Sequence, residues 1–195
     1  MFKRMVLAVV FVFLAVSFSQ AEKWDIDGAH SSIGFSVSHL VISKTTGKFK
    51  EFNGAINFDG KDLKTGSVEM TVVVNSINTE DENRDKHLRS ADFFDIEKFP
   101  NMMFKSTKIH DVNGNKFKLT GDLTIKDVTK EVTFDAEFNG VVNDPWGNTK
   151  AGFTAETTIN RQDFNITWSN TLDGGGLVVG NDVKINIELE LAKAK

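Results

Sequence analysis

The sequence predicts an all-β protein, an antiparallel up-and-down barrel of about eight strands with a short helical excursion near residues 79–94. Three observations predict it. Apolar and polar residues alternate with period two over most of the chain, turn-forming dipeptides separate the alternating runs, and the runs follow one another on short connections.

Residues 1–21 stand apart. Lys3 and Arg4 form a short positive start, residues 5–18 are almost unbroken apolar, and Ser19-Gln20-Ala21 places small residues where a signal peptidase cuts. The apolar run falls short of the ~20 residues of a membrane span. The expectation is a cleaved signal peptide, 1–21, followed by a single exported, soluble domain, 22–195. No Cys follows the run, which excludes a lipoprotein anchor.

The strands come next. Ile33, Phe35, Val37 and His39 share a face opposite Ser32, Gly34, Ser36 and Ser38, and Phe52, Ile56 and Phe58 continue it beside Gly54. Val68, Met70, Val72 and Val74 oppose Glu69, Thr71 and Asn75. Residues 79–94 break the rhythm, being too charged for a strand. Thr79 followed by Glu82 fits a capping box, and Leu88, Ala91 and Phe94 give a weak apolar stripe. Pro100 ends any helix before a strand that starts near Met102. Asn113-Gly114 reads as a hairpin turn, with Asp59-Gly60, Asn139-Gly140 and Pro145-Trp146-Gly147 as further reversals. Phe117, Leu119, Leu123 and Ile125 oppose Lys116, Lys118, Asp122 and Thr124; Val132, Phe134, Ala136 and Phe138 oppose Glu131, Thr133, Asp135 and Glu137. Ala151, Phe153, Ala155 and Ile159 repeat the theme, and Val183, Ile185, Ile187, Leu189 and Leu191 close it.

One-faced strands must hide their apolar side in two packed sheets or in one sheet closed on itself, and consecutive order favours closure. At ~3.3 Å per residue and a ~40° tilt the barrel would stand roughly 25 Å tall, wide enough for a small ligand. Of 17 Phe, only Phe2, Phe11, Phe13 and Phe18 precede residue 22. The predicted lining is Phe35, Val37, His39, Phe52, Ile56, Phe58, Met70, Val72, Val74, Leu88, Phe93, Phe104, Leu119, Leu123, Phe134, Phe138, Phe153, Phe164 and Trp168.

Composition removes other classes. The absence of Cys rules out disulfide scaffolds, zinc-thiolate sites and cysteine nucleophiles. A formal charge of -4, from 23 Lys+Arg against 27 Asp+Glu without basic clusters, argues against nucleic acid. An outer-membrane barrel needs aromatic girdles and a lipid-facing exterior, whereas this chain has no Tyr and outward Lys, Glu, Asp and Thr.

Little in the chain suggests catalysis. His30, His39, His87 and His110 lack metalloprotease spacing, and no Gly-x-Ser-x-Gly elbow occurs. His39 suits a hydrogen-bonded core position and His110 the surface. Residues 84–95 offer His87 beside acids and cations, but no nucleophile or oxyanion device accompanies it. The structural expectation there is Arg and Asp in hydrogen-bonded pairs, with Leu88, Phe93 and Phe94 plugging the barrel; Arg161 and Asp163 form a second such pair beside Phe164. Asp173-Gly174-Gly175-Gly176 precedes a strand rather than a helix, which suits a barrel-mouth loop better than a phosphate loop. No cofactor and no metal are expected.

A family signature now emerges. Asp27-Gly28-Ala29-His30-Ser31, Ile33-Gly34-Phe35-Ser36-Val37-Ser38-His39-Leu40, Gly47-Lys48-Phe49 and Phe52-Asn53-Gly54 open it. Ser76-Ile77-Asn78-Thr79, the run from Arg84-Asp85-Lys86-His87-Leu88-Arg89 to Ser90-Ala91-Asp92-Phe93-Phe94-Asp95, Gly121-Asp122-Leu123-Thr124-Ile125 and Val128-Thr129-Lys130 follow. Ile159-Asn160-Arg161-Gln162-Asp163-Phe164 and Val183-Lys184-Ile185 complete it. In these motifs the chain resembles the YceI-like family of periplasmic, polyisoprenoid-binding, lipocalin-like proteins. Asp127 and Asn165 depart from glycines common in that family, and both residue types tolerate a left-handed backbone. The resemblance implies a lipocalin-like barrel, a periplasmic location, and a long-chain isoprenoid or fatty amphiphile as partner; a homodimer stays open. The leading expectation is thus a carrier or sequestering protein without catalysis. The alternatives are an enzyme acting on such a lipid through His87 or His39, and a structural barrel packed solid by its own Phe side chains.

Overall fold

The computed structural model describes residues 22–60, 62–171 and 175–194; the expected signal peptide lies outside the described residues. Eleven hydrogen-bonded segments form one antiparallel sheet: β1 (Glu22–Ile26), β2 (Ser32–His39), β3 (Ser43–Phe49), β4 (Phe52–Phe58), β5 (Ser67–Val73), β6 (Ile77–Asn78), β7 (Asn101–Asn113), β8 (Lys116–Ile125), β9 (Val128–Asn143), β10 (Thr149–Asn160) and β11 (Val179–Lys193).

The registers reduce these to eight long strands in chain order. β1 and β2 lie end to end along β11, with Ile26 opposite Leu191 and Ser32 opposite Glu188. β4 and β3 continue each other beside them, with Trp24 opposite Ile56 and Ile33 opposite Phe49. β5 and β6 do the same, with Phe52 opposite Val72 and Phe49 opposite Ile77. β7 to β11 then pair in sequence, and β11 returns to β1 to close the ring.

Each of the three split strands breaks at the same level, so the breaks form a crease across neighbouring strands. Side chains replace the ladder bonds that the crease removes. Ser31 Oγ both donates to Glu190 O and accepts from Glu190 N, at 3.2 and 3.0 Å. Ser76 Oγ accepts from Glu51 N at 3.0 Å. Buried backbone groups must find such partners, which makes serine a natural occupant of the fold line.

The excursion after β6 contains one helix, α1 (Glu82–Arg89). Its N-cap is Asp81, whose carboxylate accepts from Arg84 N, and not the expected Thr79. Thr79 is engaged elsewhere: its N and Oγ1 both donate to the buried Asp85 carboxylate, at 2.8 and 2.6 Å. Asn139-Gly140 is likewise no reversal. It lies within β9, where Gly140 at φ 112° accommodates a bulge between the Gly152 and Phe153 registers. At the β8–β9 turn the left-handed residue is Lys126 rather than Asp127, whereas Asn165 does adopt φ 57°. Asn113-Gly114, Asp59-Gly60 and Pro145-Trp146-Gly147 mark reversals as expected.

Two apolar clusters stack inside the ring. One, around Trp24, Phe58, Leu63, Phe117 and Leu191, fills the end made of tight turns. The other, around Phe49, Val74, Phe93, Phe164 and Ile166, lies beneath α1. Among the described residues no helix is long and apolar enough to cross a membrane.

Candidate functional site: an apolar cavity along the barrel

Between the clusters runs a cavity of about 240 Å³. It exceeds the ~150 Å³ of an engineered apolar cavity that takes up benzene. Along β11 the residues that line it extend from Val179 to Leu189, so it follows the barrel axis rather than forming a local void.

The walls distinguish a hollow barrel from a solid one. On β11 the inward residues Val183, Ile185, Ile187 and Leu189 are only partly buried, as are Phe35 and Val37 on β2 and Phe153 and Ala155 on β10. In a barrel filled by its own side chains these central positions would be fully covered. Here they face the cavity.

The two ends differ. At the turn end Trp24 (1% exposed), Ala151 (1%) and Leu191 (0%) form a floor, and Trp24 Nε1 donates to Phe58 O at 3.0 Å. Phe58, Phe138 and Phe153 stack there with ring centroids 5.0–5.7 Å apart. At the α1 end the cavity reaches Phe35, Val37, Leu88, Phe94, Val179 and Val183, all partly exposed. That end is the mouth.

Of the predicted lining, Phe35, Val37, Ile56, Phe58, Met70, Val72, Leu88, Phe93, Phe104, Leu119, Leu123, Phe134 and Phe153 border the cavity. Phe52, Val74, Phe138, Phe164, Trp168 and His39 do not. Val74 and Phe164 are spent in the core beneath α1, Phe52 packs against that core, and Phe138 belongs to the aromatic floor. Trp168 stacks on His87 and Phe93, at 5.2 Å from each. His39 is not a core histidine; it sits half-buried at the outer end of β2, opposite Val179. Ile33, Phe49, Ile125, Ile185, Ile187 and Leu189, outside the predicted lining, also border the cavity. Ile33, Ile125, Ile185, Ile187 and Leu189 were legible from the same alternation, extended to every inward position.

Arg161 also borders the cavity, and no local pattern announced it. It is 4% exposed and, among the described residues, pairs with no carboxylate, contrary to the expected partner Asp163. Its guanidinium donates to the carbonyls of Gly180 (2.8 Å), Ile166 (2.7 Å), Trp168 (2.7 Å) and Val179 (3.3 Å), and to Asn181 Oδ1 (3.3 Å). Burial pushes it below the usual arginine pKa. It staples the loop after β10 to the start of β11.

The polar run near α1 is structural in the same way. Arg84 donates to Thr79 Oγ1 and Thr79 O, and Arg89 to Asn75 O and Ile77 O. Both arginines therefore grip the backbone around β6 rather than an Asp. His87 Nε2 lies 2.9 Å from Asp92 Oδ2. His110 is not simply at the surface: its Nε2 lies 3.0 Å from Thr120 Oγ1 on the neighbouring strand.

Asp27, His30 and Glu190 gather at the crease with metal-like spacing. Lys150 Nζ already sits among them, 2.7 Å from Asp27 and 3.1 Å from Glu190. That hydrogen bond holds the Asp27 carboxyl down at about 2. The group is an ion-pair cluster that clips the β1–β2 break to β10 and β11.

Comparison with known proteins agrees with this architecture. The YceI-like domain model matches residues 24–191. UPF0312 protein SA2479 of Staphylococcus aureus is 40% identical over 167 residues, covering 85% of this chain and 95% of its own length. The crystal structure of a Campylobacter jejuni YCEI protein superposes with a TM-score of 0.71 at 36% identity, covering 87% of this chain and 97% of that one. Burkholderia cenocepacia BcnA gives 0.73 at 28% identity, covering 85% and 99%. A Saccharophagus degradans domain described as polyisoprenoid binding shares the fold at 14% identity, with a TM-score of 0.66 and coverage of 88% and 98%. The chain belongs to the YceI-like family.

Proposed function

We propose that the protein is an exported, soluble, non-catalytic binding protein that holds a polyisoprenoid or similar long-chain amphiphile in its barrel, as carrier or sequestering protein. The carrying observation is the continuous apolar cavity, whose central wall residues are left partly uncovered. Each buried CH2 of a tail contributes roughly 0.8 kcal/mol, so a chain can bind tightly without specific polar contacts. The floor at Trp24 directs the tail toward the turn end and leaves the head at the α1 mouth. The leader-like residues 1–21 support export and a periplasmic location. Arg84, Arg89 and Arg161 are engaged in holding backbone carbonyls, and Asp27 and Glu190 in an ion-pair cluster with Lys150, which supports binding rather than turnover.

Organic extraction of protein purified from its own host, followed by lipid mass spectrometry, tests this reading. A stoichiometric prenyl or fatty amphiphile is expected. Protein that carries no lipid and takes up no prenyl chain on incubation would refute it.

A further inference from the structure

The tip of the β2–β3 hairpin presents its side chains to solvent. Val41 is 67% and Ile42 86% exposed, although both are β-branched aliphatics. Leu40 and Val41 both hold left-handed backbone, at φ 52° and 66°. A branched residue with positive φ is an outlier, and such strain persists only where surrounding structure imposes it. The loop before β11 does so here: Leu40 N donates to Val178 O at 2.9 Å, and a Cβ on Gly176 would come within 3.0 Å of Val41. The two aliphatic side chains are thus held outward on a braced turn.

Position gives the tip a meaning. His39, which leads into it, is paired with Val179, and Val179 and Val37 both border the cavity mouth. The hairpin is also set apart in charge. In an acidic protein, residues 28–50 contain no Asp or Glu but include Lys44, Lys48 and Lys50. Lys44 and Lys48 lie on one face of β3, exposed, and among the described residues neither forms an ion pair. Glu80, Asp81 and Glu82 sit at the far end of the hairpin, after β6; on β11, Asp182 is exposed next to Val183, the partner of Val37, and Glu188 is exposed opposite Ser32.

We infer that this hairpin tip docks on a lipid bilayer, inserting Val41 and Ile42 between headgroups so that the mouth opens onto the source of its amphiphile. The inference rests on the lipid-binding reading above. Apolar side chains at an interface, helped by nearby lysine and anionic lipid, give reversible binding rather than a membrane span. Val141, Val142 and Trp146 are also exposed apolar residues, but they lie at the closed end, where docking would not present the mouth.

Vesicle flotation of the full mature chain tests it, with phosphatidylcholine vesicles and with vesicles containing phosphatidylglycerol. Wild type should partition onto both, several-fold more onto the anionic set, and Lys44→Glu should remove only that increment. The double variant Val41→Asn, Ile42→Asn should lose at least tenfold in partitioning. Its melting temperature should hold or rise, because Asn tolerates a left-handed backbone. Trp146→Ser should bind like wild type. Wild type that does not float, a double variant that floats unchanged, or loss of binding in Trp146→Ser would each overturn the docking. Uptake of a fluorescent prenyl analogue from dilute solution separates the two claims: uptake without vesicle binding defeats only the docking, and failure of uptake in wild type defeats the lipid-binding reading itself.

Discussion

Arg161 shows how one residue can set a boundary of the cavity. A buried cation is costly to desolvate, and five acceptors offset that cost only while the loop after β10 keeps its path. Replacing it with Met orphans several carbonyls, each costing ~1–3 kcal/mol when buried. Arg161→Met should therefore lose at least about 3 kcal/mol in urea unfolding. Asp27 makes a different, pH-dependent contribution. Lys150 lowers its folded pKa to about 2 from an ordinary 3.8. The contact therefore stabilises the fold fully above the ordinary value and fades as pH falls through about 2. Asp27→Asn should be less stable than wild type at pH 7, and the gap should shrink steadily when unfolding is repeated between pH 4 and pH 2. These partners, distant in sequence, were not legible locally. Lys150 lies 123 residues from Asp27, and four of Arg161's five acceptors are backbone carbonyls that any residue type would offer.

At the level of elements, α1 is held by its polar side rather than by an apolar stripe. Its buried residue is Asp85, which fixes Thr79, while Arg84 and Arg89 hold the chain on either side of β6. Asp85→Ala would leave two donors of Thr79 without their acceptor in a buried place, at about 1–3 kcal/mol each. Its expected signature is a loss of about 2–4 kcal/mol, with early amide exchange at Ile77 and Asn78. The sequence marked a helix here correctly but misplaced its cap, since Thr79 and Asp81 are both good capping residues. Only the fold shows that Thr79 is already taken. The three split strands were opaque for a similar reason. Ser31, Glu51 and Ser76 look like ordinary loop residues until the breaks line up across the sheet.

For the molecule as a whole, the question is whether the interior is filled. A space-filling substitution on the cavity wall separates the cases. Ala155 borders the cavity midway along β10. Ala155→Trp should abolish lipid co-purification while costing less than about 1.5 kcal/mol, because the ring enters space that is already there. A packed interior would instead lose about 1–3 kcal/mol or more through overpacking. Both readouts come from one preparation, by lipid mass spectrometry and by urea unfolding.

The alternation of Ile33 with Gly34, of Phe134 with Thr133 and of Ile187 with Glu188 was enough by itself to determine an all-β barrel with one oily face per strand. A period of two leaves two ways to bury that face, two packed sheets or one closed sheet, and the consecutive order of the strands favours closure. Tertiary structure alone decided that the ring stays hollow, that Trp24 seals one end, and that Val74, Phe138 and Phe164 serve the core or floor. Alternation assigns a side chain to the inside, but barrel width and strand stagger determine whether it meets another side chain or open space.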